Sequence, residues 1–348
     1  MQFLSDVSLE AFNTLALPAR AANFCTVHTL PELEQARRHA QARDWPVTVL
    51  GGGSNVVLVG DVSGLVVRMA ITGIETVEED GDVLVRAGAG ENWHSLVAHC
   101  LENDWYGLEN LALIPGSVGA APIQNIGAYG VELAERFESL EALVLDTGEC
   151  VTLGPEDCRF GYRDSVFKHG ALPPVIITSV TLRLFRQPRL CLDYPELAGV
   201  LAERGPGSVS PRTVFDAVCR LRRQKLPDPS LRPNAGSFFK NPVIDGARAR
   251  SLARRFPDMP RYAIPDGRVK VPAAWLIDRC GWKGRRLGAV GVHDRQALVL
   301  VNFGGGVGKE LLALSAQIAE DVRRCFGIEL ELEPTVLGAE AYTGPESE

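Results

Sequence analysis

After Pro31 the apolar positions Leu33, Ala36 and Ala40 recur at helical spacing among charged residues, which predicts a surface helix over PELEQARRHAQARD. The period then shortens. VTVL and VVLV are two β-branched runs on either side of Gly51-Gly52-Gly53-Ser54-Asn55, strands around a tight glycine turn. LVVRM, GIETVEE and DVLVRAGAG are further strand-like runs, and NWHSLVAHCLEND reads as a helix. ALVLD and ECVTL flank the turn residues Asp146-Thr147-Gly148, and VIITSVTLRLF is another strand. Past Phe185 the period fades. RQPRLCLDYPELAGVLAERGPGSVSPRT carries four prolines and predicts a long loop with one short helix, so a boundary is expected near 186–212. Val214, Val218 and Leu221 mark a helix ending at Leu226-Pro227, and PAAWLIDRCG a second one stopping at Gly281. LVLVNFGG reads as a strand, and Leu311, Leu314, Ile318 and Val322 as one face of a last helix over about 307–325. Strands alternating with sparse helices predict an α+β fold with mixed sheets.

Composition narrows the function classes. The chain has 348 residues, room for two or three domains, and 36 basic against 43 acidic residues leave a net charge of −7. That balance argues against nucleic acid or an anionic membrane as the main partner, though it allows a local basic pocket. No apolar run approaches the roughly 18 residues that span a bilayer, and MQFLSDVSLEAF lacks the pattern of a signal peptide. Eight scattered cysteines without a CxxC read as reduced, mostly buried thiols of a cytoplasmic protein. The six histidines are isolated, so no metal site is expected. There is no GxGxxG. GGGVGKE at 304–310 lacks the Ser/Thr of a phosphate loop and reads as a strand-to-helix turn.

Two uncharged glycine segments carry the chemistry. In Gly51-Gly52-Gly53-Ser54-Asn55 the backbone can approach a ligand closely and its amides can converge on phosphate oxygens, with an ordinary hairpin turn as the equal alternative for that segment alone. IPGSVGAAPIQNIGAYG adds Pro115, Gly116, Ser117, Gly119, Ala120, Gln124, Asn125, Gly127, Ala128 and Tyr129. A stretch so short of charge is expected to be buried, and its backbone polar groups need partners. A large polar cofactor held by backbone amides satisfies both segments at once. Three clusters look chemical. FGYRDSVFK sets Arg163 and Asp164 between aromatics, a catalytic cation or a structural ion pair. NAGSFFKNP sets Ser237 before two phenylalanines, a reactive hydroxyl or a turn cap. LELEP puts Glu331 and Glu333 on one face if it is a strand, in a site or on a solvated edge.

Together GGGSNVVL, IPGSVGAAPIQNIGAYGVEL, FGYRDSVFK, KLPDP with NAGSFFKNP, AAWLID and LELEP resemble, in order and from about Asn13 to Pro334, the bacterial UDP-N-acetylenolpyruvoylglucosamine reductase family. LDYPEL resembles the tyrosine loop of its type I branch. The resemblance implies an FAD-binding fold of the vanillyl-alcohol oxidase type at 1–186, in two subdomains of about 1–70 and 71–186. A linker with the tyrosine loop at 187–212, an α+β substrate domain at 213–334 and a tail at 335–348 would follow. It implies that both glycine segments cradle FAD, and that Arg163, Ser237 and Glu333 are catalytic: a cation for developing charge, a proton donor and the second acid of the LExE pattern. Tyr194, Lys225 and Asn241 would hold the substrate. The implied reaction is NADPH-dependent reduction of UDP-N-acetylglucosamine enolpyruvate to UDP-N-acetylmuramate in cytoplasmic peptidoglycan precursor synthesis. No metal, nucleic acid or membrane takes part, and the enzyme is expected to be a monomer. The competing readings are another flavin oxidoreductase of the same fold, reoxidised by oxygen, and a catalytically silent nucleotide-binding scaffold.

Overall fold

The computed structural model describes residues 1–202 and 208–338; residues 203–207 of the expected linker and 339–348 of the expected tail lie outside the described residues. The chain forms two compact units. The first comprises Met1–Val7, Ala21–Gly53 and Ser63–Gln224, and the second Ser8–Arg20, Ser54–Val62 and the described residues from Lys225 onward.

The first unit is built on two sheets. One orders its strands Leu4–Ser8, Arg20–Val27, Val62–Met69, Val47–Leu50, the last two parallel. The other is antiparallel, with the order Cys150–Leu153, Phe137–Val144, Val175–Phe185, Asp82–Gly88, Ile74–Glu79. Alternation in Asp82–Gly88 sends Val83, Val85 and Ala87 into the core, whereas Ile74–Glu79 is an exposed edge rich in glutamate. The helix Trp93–Glu102 is capped by the Asn92 side chain, which accepts the Ser95 amide at 2.9 Å, and buries Trp93, Leu96, Val97, Cys100 and Leu101. Val214, Val218 and Leu221 of the helix Pro211–Lys225 also join this core. The contact boundary therefore falls after Gln224, later than the change in composition near 186–212. The prolines of that stretch leave room for one helix, Pro195–Ala202, which Leu197 and Leu201 anchor in the same core.

In the second unit an antiparallel sheet runs Asn234–Ser237, Val299–Asn302, Val290–Val292, Arg286–Leu287. The last helix, Gly308–Phe326, buries Leu311, Leu314, Ile318 and Val322, the face its periodicity predicts. GGGVGKE is the turn leading into it. A Cβ on Gly308 would run into the Leu58 carbonyl, so only glycine lets the helix start this close to the strand Val56–Leu58. That strand corrects the hairpin alternative for GGGSN. Val47–Leu50 lies in a first-unit sheet, while Val56–Leu58 pairs in parallel with Thr335–Leu337. Thr335–Leu337, expected in a tail, is thus an ordered part of the second unit. Among the described residues no helix is long and apolar enough to cross a membrane, and no cluster of side chains could hold a metal. Of the eight cysteines, all free, Cys25, Cys100, Cys158 and Cys219 are buried and Cys150 and Cys325 are exposed, so the expectation of mostly buried thiols holds for half of them.

The helix Leu30–Gln41 is tied down by charge as well as by its apolar face. Arg37, itself buried, makes a two-pronged contact with Glu34 at 2.6 and 2.8 Å and donates to the Leu145 carbonyl at 3.2 Å. The Arg37 guanidinium, helped by Arg38, holds the Glu34 carboxyl at about 2. A carboxylate shifted down stabilises the fold above its ordinary range, and that contribution disappears as the pH falls toward the shifted value. Glu34→Gln should therefore lower the midpoint of thermal unfolding at neutral pH, with the gap to the parent narrowing steadily on acidification. A gap that does not change with pH would mean that packing, and not charge, fixes this helix.

Candidate active site

The two glycine segments meet inside the first unit. The strand Val47–Leu50 delivers Gly51–Gly53 against the second segment. A Cβ on Gly52 would lie 3.0 Å from the Gly116 Cα, and one on Gly51 would collide with the Ser117 hydroxyl. The absence of side chains at Gly51, Gly52 and Gly116 lets the two segments come this close. The second segment is anchored from behind. Trp93 donates its amide to the Gly116 carbonyl at 3.1 Å, and the Val118 and Gly119 amides donate to the carbonyls of Glu91 and Ala89 at 2.9 Å.

Residues 111–130 are mostly buried or half-buried, as their lack of charge predicts; Pro115, Ala120 and Gly130 are exposed. The segment is a chain of short turns, Val118–Ala120 and Pro122–Gln124, followed by the two-residue strand Gly127–Ala128 paired with Val131–Glu132. Asn125 takes the left-handed conformation (φ 45°), and its side chain organises the turn. Its oxygen accepts the Ala134 amide at 2.9 Å, and its nitrogen donates to Glu132 at 2.9 Å and to the Gly161 carbonyl at 3.0 Å.

Arg163 joins this loop. It too has positive φ (52°), a conformation that costs a branched or long side chain of order 1–3 kcal/mol. Its guanidinium donates to the carbonyls of Asn125 (3.4 Å) and Gly127 and lies 5.4 Å from the Tyr162 ring. Its sequence neighbour Asp164 instead contacts His169 at 2.8 Å. Tyr194 sits just before the helix Pro195–Ala202, with its ring edge-on to Tyr129 at 5.2 Å between centroids. Burial pushes the Tyr129 phenol up to about 12, so it remains a neutral donor throughout the ordinary pH range. One residue that sequence reasoning missed holds these parts together. The Asn110 side chain donates to the carbonyls of Tyr129 (2.8 Å) and Cys191 (2.9 Å), fastening the tyrosine loop to the glycine segment. An asparagine beside a buried run gives no local signal of that task.

The remaining residues lie in the second unit. Ser237 ends the strand Asn234–Ser237. The carbonyl of the next residue, Phe238, accepts the Glu333 amide at 3.0 Å, and Phe239 bridges Leu332. LELEP, read above as one-faced if it is a strand, is an extended segment with a bridge at Leu332. Pro334 has no amide to donate, and pairing passes at Thr335 to the strand Val56–Leu58. The two glutamates are distinguished by their partners. Glu331 forms an ion pair with Lys240, while the backbone of Glu333 is fixed on both sides. Asn55 donates to the Glu333 carbonyl at 3.3 Å and accepts the Thr335 amide at 3.0 Å, which places Ser54-Asn55 in this unit beside the acid. Asn241 accepts the Ala273 amide at 2.9 Å and so caps the helix Ala273–Arg279. Lys225 closes the helix Pro211–Lys225.

Two family models match two parts of the chain that hold most of these residues. Residues 228–337 match the C-terminal domain of UDP-N-acetylenolpyruvoylglucosamine reductase, and residues 21–154 match an FAD binding domain. The reductase of Chromobacterium violaceum is 49% identical over 339 residues, covering 97% of this chain and 99% of its own, and that of Bordetella pertussis is 52% identical over 332 residues, covering 95% and 94%. The chain belongs to the UDP-N-acetylenolpyruvoylglucosamine reductase family. A solved reductase of this family, from Thermus caldophilus, superposes with a TM-score of 0.66 at 28% identity over 97% of this chain and 98% of that one. The expected fold class, an FAD-binding domain followed by a C-terminal α+β domain, is met. The FAD match contains both glycine segments, and the C-terminal match contains Ser237, Asn241 and Glu333.

The residues present fit FAD. Gly51–Gly53 and Gly116 present backbone without bulky side chains, a surface suited to the close approach of a diphosphate-bearing dinucleotide. Gly52→Val, which drives a branched carbon into the Gly116 backbone, should give protein purified without flavin colour. Full flavin absorbance in that variant would remove the paired loops from the cofactor site.

Proposed function

We propose that this protein reduces UDP-N-acetylglucosamine enolpyruvate to UDP-N-acetylmuramate with NADPH as the reductant, acting as a cytoplasmic monomer in peptidoglycan precursor synthesis. The observation that supports this best is the extended pair in the second unit, where Glu333 donates its amide to the carbonyl that directly follows Ser237. A hydroxyl and a carboxylate are thereby carried on adjoining backbone segments that two hydrogen bonds, from the Glu333 amide to the Phe238 carbonyl and from the Lys240 amide to the Glu331 carbonyl, keep in register.

FAD, when bound, supplies the hydride that NADPH has delivered. The protein's own groups handle charge and proton. Addition of hydride to the terminal carbon of an enolpyruvyl ether builds negative charge on the adjacent carbon and its carboxylate. Arg163 is assigned to stabilise that charge, since a fixed cation in a water-poor site acts mostly through preorganisation. Its guanidinium is already oriented by the Asn125 and Gly127 carbonyls. Ser237 is assigned to give its hydroxyl proton to the basic carbon; Oγ loses the proton, the carbon–hydrogen bond forms, and solvent reprotonates the serine. Glu333 is assigned to polarise the surroundings of the acceptor carbon. For the substrate's diphosphate Lys225 offers a compact charge, and Tyr194 and Asn241 offer an aromatic edge and an amide.

Two variants test the assignment. Ser237→Ala should still be reduced by NADPH at a near-normal rate under anaerobic conditions, while reoxidation by the enolpyruvyl sugar slows by about 10²–10⁴-fold, the usual worth of general acid catalysis. Equal slowing of both halves would reject the proton-donor role, and reoxidation by oxygen alone would favour an oxidase. Tyr194→Phe keeps the ring packed on Tyr129 and removes only the hydroxyl. It should weaken binding of the UDP-sugar while leaving thermal stability and reduction by NADPH near normal. Unchanged affinity would make Tyr194 an anchor for its loop and nothing more.

A further inference from the structure

A second basic feature of the C-terminal unit belongs to none of the residues assigned so far. On the helix Gly246–Arg255, Arg250 and Arg254 are one turn apart on the same side, and with Arg261 they border a cleft of about 720 Å³. The other walls are small, among them Gly246, Ala253 and Gly267. The Arg250 guanidinium reaches across the start of the helix: a Cβ on Gly246 would lie 3.5 Å from its Nη1 and 2.9 Å from the Gly267 carbonyl.

The nearby acids are occupied. Asp245 caps the helix by accepting the Ala247 and Arg248 amides at 2.7 and 3.2 Å, Asp266 holds Arg268 at 2.6 Å, and Asp258 lies 3.9 Å from Arg279. Arg250, Arg254 and Arg261 form no ion pair among the described residues, although many other arginines of the chain do. Like charges at i and i+4 repel and destabilise a helix. Three uncompensated guanidiniums around one concavity, in a chain of net charge −7, are an arrangement that an anion relieves. Guanidinium forks match phosphate oxygens in pairs. The volume lies within the roughly 300–1,000 Å³ typical of small-molecule pockets, ample for a diphosphate with a nucleoside attached.

We propose that this cleft binds a phosphate-bearing small anion of the diphosphate class, at a site distinct from the residues assigned to substrate. The inference does not rest on the proposed reaction. Isothermal titration of the FAD-loaded protein at low salt with inorganic diphosphate, UDP and uridine tests it, in a Lys225→Ala background that weakens the assigned substrate-diphosphate contact. Diphosphate and UDP should bind and uridine should not. Tighter binding of UDP than of diphosphate identifies a nucleoside diphosphate as the ligand, and equal binding identifies the phosphates alone. Adding Arg250→Ala and Arg254→Ala should weaken binding at least about tenfold, or 1.4 kcal/mol, without lowering the unfolding midpoint. Arg261→Ala, on an exposed residue outside the helix, should weaken it in the same sense. Unchanged affinity in these variants overturns the proposal. So does an equal loss on Arg285→Ala with Arg286→Ala, which removes the same charge elsewhere and would show that net charge alone drives the binding.

Discussion

The constraint on which the first unit depends is the close approach of Gly51 and Gly52 to Gly116 and Ser117. Gly51 and Gly52 face Gly116 and Ser117 so closely that even an alanine would displace one of them. The approach is possible because both partners are held by regular structure. A parallel strand pair fixes Val47–Leu50, and amide bonds from Trp93, Val118 and Gly119 fix the second segment. Once that segment is fixed, its carbonyls at Asn125 and Gly127 orient Arg163, and Asn110 gathers Tyr129 and the Cys191 carbonyl beside Tyr194. A cation and an aromatic edge are thus positioned as by-products of one close contact.

In the second unit the organising force is the hydrogen-bonding need of an extended segment interrupted by proline. Glu331 and Glu333 have the same chemistry and nearly the same sequence surroundings; Lys240 pairs with the carboxylate of the first, and the backbone amide and carbonyl of the second are bonded to Phe238 and Asn55.

Local periodicity exposed much of this in the sequence. The helix Gly308–Phe326 buries the four residues its spacing singles out, and the uncharged glycine segment is largely buried as its composition requires. What stayed hidden are pairings between distant parts of the chain. Nothing in VVLV announces that Val56–Leu58 will pair with Thr335–Leu337, since a parallel partner leaves no mark on nearby turns. The extended form of LELEP was legible, but its single bridge depends on Phe239, a residue far away in sequence. Asn110 and the three arginines of the cleft were invisible for a related reason: their meaning lies in which neighbours are absent or spent.

The pairing of Val56–Leu58 with Thr335–Leu337 also bears on how this protein could be taken apart. The chain enters the second unit three times, at Ser8–Arg20, at Ser54–Val62 and from Lys225 onward. The stretch matched by the C-terminal family model, residues 228–337, ends in a strand whose partner strand among the described residues lies outside it. Expressed alone, such a fragment would present an unpaired β edge and an uncovered helix start at Gly308, a surface prone to self-association. Recombining modules between relatives by a single crossover would split this unit, so a workable chimera must exchange the two early segments together with the late one.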